Sequence, residues 1–96
     1  MSAGGALARY RNMLVHRSDI PARERVDFEE AIRASGRDPR SFIAELFETT
    51  LAETGATMRR VHVRMVGSCA AAQYSAGDDE LWTGKFAMHL ALGRFG

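Results

Sequence analysis

Residues 57–77 read TMRRVHVRMVGSCAAAQYSAG, and apolar and polar side chains alternate twice along them. In the first run, three apolar residues occupy every second position and basic residues lie between them: Val61, Val63 and Met65, with Arg60, His62 and Arg64. Successive side chains of a β-strand point to opposite faces, so the pattern predicts a strand whose apolar face meets the core. Gly67-Ser68 favours a turn, and a second run around Tyr74 predicts the returning strand of a β-hairpin.

The residues after this hairpin predict a C-terminal helix. Three large apolar residues recur at intervals of four: Trp82, Phe86 and Leu90. The acidic run Asp78, Asp79 and Glu80 stands at the expected start, where carboxylates cap free N–H groups and complement the helix dipole. We expect Gly93 to end the helix and Phe95 to fold back onto its last turn.

Three further helices are predicted upstream of the hairpin. Apolar spacing places the first within residues 1–17, and a Ser-Asp-Ile-Pro start places the second over residues 20–35, with Gly36 as the left-handed residue after it. A broad apolar stripe after Asp38-Pro39 places the third before Gly55. We therefore predict one small α+β domain over residues 1–96, ordered α-α-α-β-β-α, with helices packed on a two-stranded antiparallel hairpin and residues 1–6 disordered.

Composition and charge limit the classes of protein that fit this chain. With 96 residues, 46% of them apolar and 26% charged, it matches one ordinary globular domain. A formal charge of +1 gives no field over the whole molecule that would attract nucleic acid or an anionic membrane. The single cysteine, Cys69, permits no intrachain disulfide, and the start does not resemble a signal peptide. We therefore expect a cytoplasmic protein that does not associate with membranes.

No group of residues has the spacing of a metal, cofactor or catalytic site. The three histidines, His16, His62 and His89, fall on separate predicted elements without a ligand at helical spacing. We interpret His62 as a solvated strand residue and His89 as a core-edge residue that uses one nitrogen for a hydrogen bond. Cys69 is predicted to lie in the hairpin turn, where the sequence identifies no base that would activate it. We expect no cofactor and no metal.

The best candidate for partner binding is the face formed by Arg60, His62 and Arg64, beside Arg59, which Arg9, Arg11 and Arg17 could join. Arginines on one face of a strand suit phosphates, and they suit an acidic protein equally well. The near-neutral net charge and the lack of aromatic residues among these arginines argue against nucleic acid. A solvated outer face is the favoured interpretation, with nucleic acid and an acidic protein as alternatives.

The chain also resembles a family of small, uncharacterised bacterial proteins. The resemblance rests on five segments: Arg-x-x-Leu-Val at 11–15, Ser-x-Ile-Pro at 18–21, the run from Phe28 to Pro39, residues 74–77, and the ending Trp82-x-x-x-Phe86-x-x-x-Leu90 with Gly93-x-Phe95-Gly96. Residues 43–56 depart from it, because family members are polar and contain proline there. The resemblance implies the hairpin and helix at the end of the fold, and it transfers no activity.

These observations predict a non-enzymatic interaction or accessory domain whose partner is unknown. Nucleic-acid binding through the basic hairpin face is the alternative, and an enzyme or redox-sensitive protein using Cys69 is the second and less favoured one. A lone hairpin is only marginally stable in water, so helices must cover it or another chain must extend it. A protein partner, or a homodimer formed through the hairpin edge, would meet that need.

Overall fold

The computed structural model of the protein describes residues 13–77 and 81–96. The predicted disorder of residues 1–6 and the predicted caps at Asp78, Asp79 and Glu80 concern residues outside these ranges, as does most of the predicted first helix. Neither helix in the described ranges is long and apolar enough to cross a membrane.

The described residues form two helices and one sheet of four antiparallel strands. The elements follow in chain order: β1 (Met13–Ser18), α1 (Ala22–Ala34), a 3₁₀ turn (Pro39–Ser41), β2 (Phe42–Leu51), β3 (Thr57–Met65), β4 (Ala71–Ser75) and α2 (Trp82–Ala91). The strands lie in the order β1-β2-β3-β4, each antiparallel to its neighbour. The prediction of an α+β domain with helices on a two-stranded hairpin, ordered α-α-α-β-β-α, is therefore wrong in its element order and in the size of its sheet.

The segment predicted as the third helix is strand β2. Phe42 and Leu46 are four residues apart, as are Ile43 and Phe47, and this spacing fits a helix. In the structure the first two are buried on one face of the strand and the other two are half-buried on the opposite face. Because both faces carry apolar residues, period alone does not separate helix from strand, and pairing with β1 and β3 stabilises the strand.

Two local signals upstream of β2 also differ from their interpretation. Asp38 accepts a hydrogen bond from the backbone N–H of Arg40 at 2.9 Å, but it caps only the single 3₁₀ turn. The described end of the predicted first helix, Met13–Ser18, is the edge strand β1, and it pairs with β2 from Met13 opposite Leu51 to Ser18 opposite Leu46. Long-range pairing with β2 therefore replaces the predicted helix in this segment.

The predicted C-terminal signals of both helices and the predicted hairpin are confirmed, but α1 begins at Ala22 with Pro21 as its N-cap, so the Ser-Asp-Ile-Pro start supplies no capping side chain. Helix α1 ends with Gly36 at a φ of 81°, and the N–H of Arg37 donates to the carbonyl of Ile32 at 3.1 Å, as a Schellman motif requires. Helix α2 ends in the same way at Gly93, and Phe95 folds back into the core. Strands β3 and β4 form the predicted hairpin, but β3 also pairs with β2, so β1 and β4 are the edge strands of the described sheet.

One hydrophobic core lies between the sheet and the two helices. It contains the buried residues of β2, β3 and β4 together with those of both helices, and its aromatic rings come from Phe28, Phe42, Tyr74, Trp82, Phe86 and Phe95. Phe86 is the central ring, with centroids 4.9 Å from Phe28 and 5.7 Å from Phe42. Because both helices contribute to this single cluster, they pack on the same face of the sheet, which we call the inner face.

Candidate functional site

The opposite face of the sheet is not covered by either described helix. Residues that face each other across antiparallel strands point to the same side, so the strand register assigns every strand residue to a face. We call this second side the outer face, and its described members are Val15, Arg17, Ile43, Glu45, Phe47, Thr49, Leu51, Met58, Arg60, His62, Arg64, Ala71, Gln73 and Ser75. None of them belongs to the buried core.

The structure places Arg60, His62 and Arg64 on the outer face, as the sequence predicts. Both arginines are exposed and His62 is half-buried. Within residues 13–77 and 81–96, the guanidinium groups of Arg60 and Arg64 have no hydrogen-bond or ion-pair partner. Each therefore offers its five N–H donors to an external acceptor.

An aromatic pair lies among these basic residues. The rings of Phe47 in β2 and His62 in β3 have centroids 4.8 Å apart with an interplanar angle of 53°. Phe47 faces Arg60 directly across the two strands, and the guanidinium carbon of Arg17 lies 6.0 Å from the centroid of its ring. The sequence-based argument that no aromatic residue accompanies the arginines is therefore wrong, because Phe47 enters the surface from a strand that was predicted as a helix.

The formal charges on the outer face are mostly positive. Arg17, Arg60 and Arg64 are opposed by Glu45, which is the single acid among the described outer-face residues, so the net formal charge is +2. Glu45 pairs with Arg17 at 3.2 Å between Oε2 and Nη1. The ion pair occupies one arginine at the β1 side and leaves Arg60 and Arg64 on β3 as the available cations.

Two open depressions follow β3 along this side of the sheet. One, of about 370 Å³, is lined by residues that include His62, Arg64 and Gln73. The other, of about 410 Å³, is lined by residues that include Met58 and Arg60. The two depressions together extend along β3 from Thr57 to Arg64.

A third cleft, of about 470 Å³, lies on the inner side between α1, β3 and the start of α2. Arg59 borders it, with its Nε buried, without a hydrogen-bond partner in the described ranges and 3.8 Å from Oε1 of Glu48. Arg23 and Arg59 are balanced there by Glu24 and Asp27, so the lining has no net preference for an anion. Arg59, although adjacent to Arg60 in sequence, is therefore not part of the outer face.

The other titratable residues singled out from the sequence lie apart from this surface. Cys69 is exposed in the loop between β3 and β4. His89 receives or donates a hydrogen bond at 2.8 Å between Nδ1 and the hydroxyl of Tyr74, which confirms its interpretation as a core-edge residue. His16 lies 3.8 Å from Glu48 on β2. In the described part of the chain, no three His, Cys, Asp or Glu side chains are grouped so that they could hold a metal ion.

Sequence reasoning missed Phe47 and Glu45 as members of the candidate surface, whereas Arg17 was named as a residue that could join it and does lie on the outer face. Phe47 and Glu45 reach this surface through β2, which pairs with β1 across 28 to 38 positions and with β3 across a turn. One signal in the sequence does favour the correct structure. Thr49 and Thr50 are β-branched, and Gly55 follows at a φ of 71°, as a turn between two strands would require.

Comparisons with protein-family models, curated proteins and solved structures found no match for this chain. The resemblance to small bacterial proteins stays a prediction, and the function is therefore argued from the geometry and charge of the outer face.

Proposed function

We propose that this protein is a non-enzymatic binding domain whose outer face contacts an anionic macromolecule. The observation that carries the proposal is the pair Arg60 and Arg64, which are exposed and unpaired within the described ranges on a sheet face that neither described helix covers. Their donors are held by the central strand β3, whose backbone is hydrogen-bonded on both sides. A rigid strand reduces the entropy that must be lost when a partner binds.

The apolar side chains around these arginines support a binding role over a merely solvated face. Met58 is 51% exposed and Val15 is 61% exposed, while Ile43 and Phe47 are half-buried and neither α1 nor α2 packs over them. Binding surfaces are enriched in arginine, methionine and aromatic residues relative to the rest of a protein surface. The outer face combines all three.

The test is binding to a flexible polyanion that carries no bases. Fluorescently labelled heparin should bind the unmutated protein at low salt, and the double variant Arg60→Glu/Arg64→Glu should lose at least tenfold in affinity. The variant Arg23→Glu/Arg25→Glu on α1 makes the same change in net charge away from the outer face, so it should bind nearly as well as the unmutated protein. An equal loss in the two variants, or no binding by the unmutated protein, would contradict the proposal.

A further inference from the structure

We propose that the anionic partner is a single-stranded nucleic acid, whose bases stack on the Phe47 and His62 pair while its phosphates bind Arg60 and Arg64. This inference rests on the proposed function of the outer face and names the partner that the face recognises. It follows from the combination of aromatic rings and exposed arginines on one face of the described sheet. Neither feature alone would select this partner.

The aromatic pair provides a stacking platform. Phe47 and His62 lie on adjacent central strands, and their rings are in contact at 4.8 Å between centroids. Their side chains are half-buried, so strand packing fixes the rings while leaving part of their surface accessible. Aromatic side chains on open sheets and grooves bind single strands because every base has a π-face that can stack on them.

The arginines lie at positions that complement such a platform. Arg60 is directly opposite Phe47, and Arg64 is two residues beyond His62 on the same strand. At about 3.3 Å per residue, the Cα atoms of the two arginines are about 13 Å apart, with the His62 ring between them. A strand that runs along β3 can therefore place a base on the rings and phosphates on both sides of it.

The same geometry disfavours the other anionic partners. In a duplex the bases are already stacked on each other, so the rings would have no base face to contact. An acidic peptide would form ion pairs with the arginines, but its carboxylates would not stack on the two planar rings and would gain no affinity from them.

The experiment compares ligands that share phosphates but differ in bases. A fluorescein-labelled single-stranded 12-mer of mixed sequence, an abasic 12-mer, a duplex of the same sequence and labelled polyglutamate are titrated by anisotropy. We expect the 12-mer to bind about tenfold more tightly than the abasic strand, and more tightly than the duplex or polyglutamate. Phe47→Leu should remove about tenfold for the 12-mer and nothing for the abasic strand, whereas Ile43→Leu on the same strand and face should change neither. Fluorescence of the buried Trp82 during thermal unfolding verifies that both variants fold.

Each alternative outcome separates this inference from the proposed function. Equal binding of the 12-mer and the abasic strand, lost in Arg60→Glu/Arg64→Glu, overturns base stacking and leaves the anion-binding face intact. Preference for polyglutamate identifies an acidic protein instead and overturns the nucleic-acid partner. No binding to any of the ligands or to heparin overturns both proposals.

Discussion

The ring of Phe47 in β2 contacts the ring of His62 in β3 at 4.8 Å between centroids, on a sheet face that no described helix covers. The guanidinium carbon of Arg17 lies 6.0 Å from the centroid of the Phe47 ring, and Arg60 is the residue opposite Phe47 in the pairing of β2 with β3. Aromatic groups of this size are usually buried in the core of a small domain, as Phe28, Phe86 and Phe95 are here. The position of the Phe47 and His62 rings outside the core distinguishes the outer face from a solvated sheet surface.

The salt dependence of binding should report the number of phosphates that the outer face contacts. Each phosphate neutralised on a single strand contributes about −0.7 to the slope of log K against log salt, so Arg60 and Arg64 together predict about −1.4. Arg64→Ala should reduce the slope to about −0.7 because one contact is lost. Arg25→Ala on the exposed side of α1 should leave it unchanged. A slope near zero for the unmutated protein would show that phosphates are not the groups bound.

Phe95 should be a major source of stability although it lies outside helix α2. Its side chain is 2% exposed, and its ring lies 5.5 Å from those of both Phe42 and Phe86. Phe95→Ala should lower the free energy of unfolding by about 3 to 5 kcal/mol, because a large buried ring is replaced by a cavity. The free energy of unfolding is measured by urea denaturation. Arg94→Ala is the matched control and should change this free energy by less than about 0.5 kcal/mol. A similar small effect for Phe95→Ala would mean that the C-terminal turn is not docked.

A hydrogen bond between Trp82 of α2 and Glu24 of α1 should stabilise the packing of the two helices. The indole N–H of Trp82 donates to Oε1 of Glu24 at 2.7 Å, and Trp82 is otherwise buried. Glu24→Ala should cost about 1 to 2 kcal/mol, since a buried donor loses its acceptor. Glu24→Gln keeps a carbonyl oxygen and should recover most of that loss, while Glu30→Ala on the exposed side of α1 should have little effect. If Glu24→Ala and Glu30→Ala have the same urea midpoint, the hydrogen bond does not contribute to stability.

Tyr74 should titrate well above the usual range of a tyrosine. Burial raises its pKa to about 12, and the nearby charge of Arg94 opposes the shift only in part. In the unfolded chain Tyr74 loses its proton near pH 10. The contribution of neutral Tyr74 to the free energy of unfolding is therefore fully present below pH 10 and is lost as the pH rises through about 12. Tyrosinate absorbance measured in a Tyr10→Phe background should show a midpoint near pH 12. A midpoint near pH 10 in the folded protein would contradict the buried position of the hydroxyl.

Local signals in the sequence were sufficient for part of this fold. Gly67-Ser68 and the alternation around Val61 predicted the β3–β4 hairpin, and the four-residue spacing of Trp82 and Phe86 predicted α2. In these elements the buried apolar residues lie on one side, so their period identifies them. The inner and outer assignment of Val61 and Arg60 followed from the same alternation.

The rest of the fold depends on contacts that local signals do not contain. Strand β2 has Phe42 on one face and Phe47 on the other, and two apolar faces remove the period that distinguishes a strand from a helix. Strand β1 forms by pairing with β2 across the whole of α1. The sequence alone consequently predicts three basic residues for the candidate surface. Phe47 joins them only through the pairing of β2 with β3.

The claim that the outer face is the binding surface can be tested by finding which protein residues respond when the ligand binds. Backbone amide resonances of the ¹⁵N-labelled protein are followed while the unlabelled single-stranded 12-mer is added. We predict that the largest shifts occur at Phe47, Arg60, His62 and Arg64, with the amides of α1 nearly unchanged. Shifts concentrated on α1 and α2, with those of β2 and β3 unaffected, would contradict the claim.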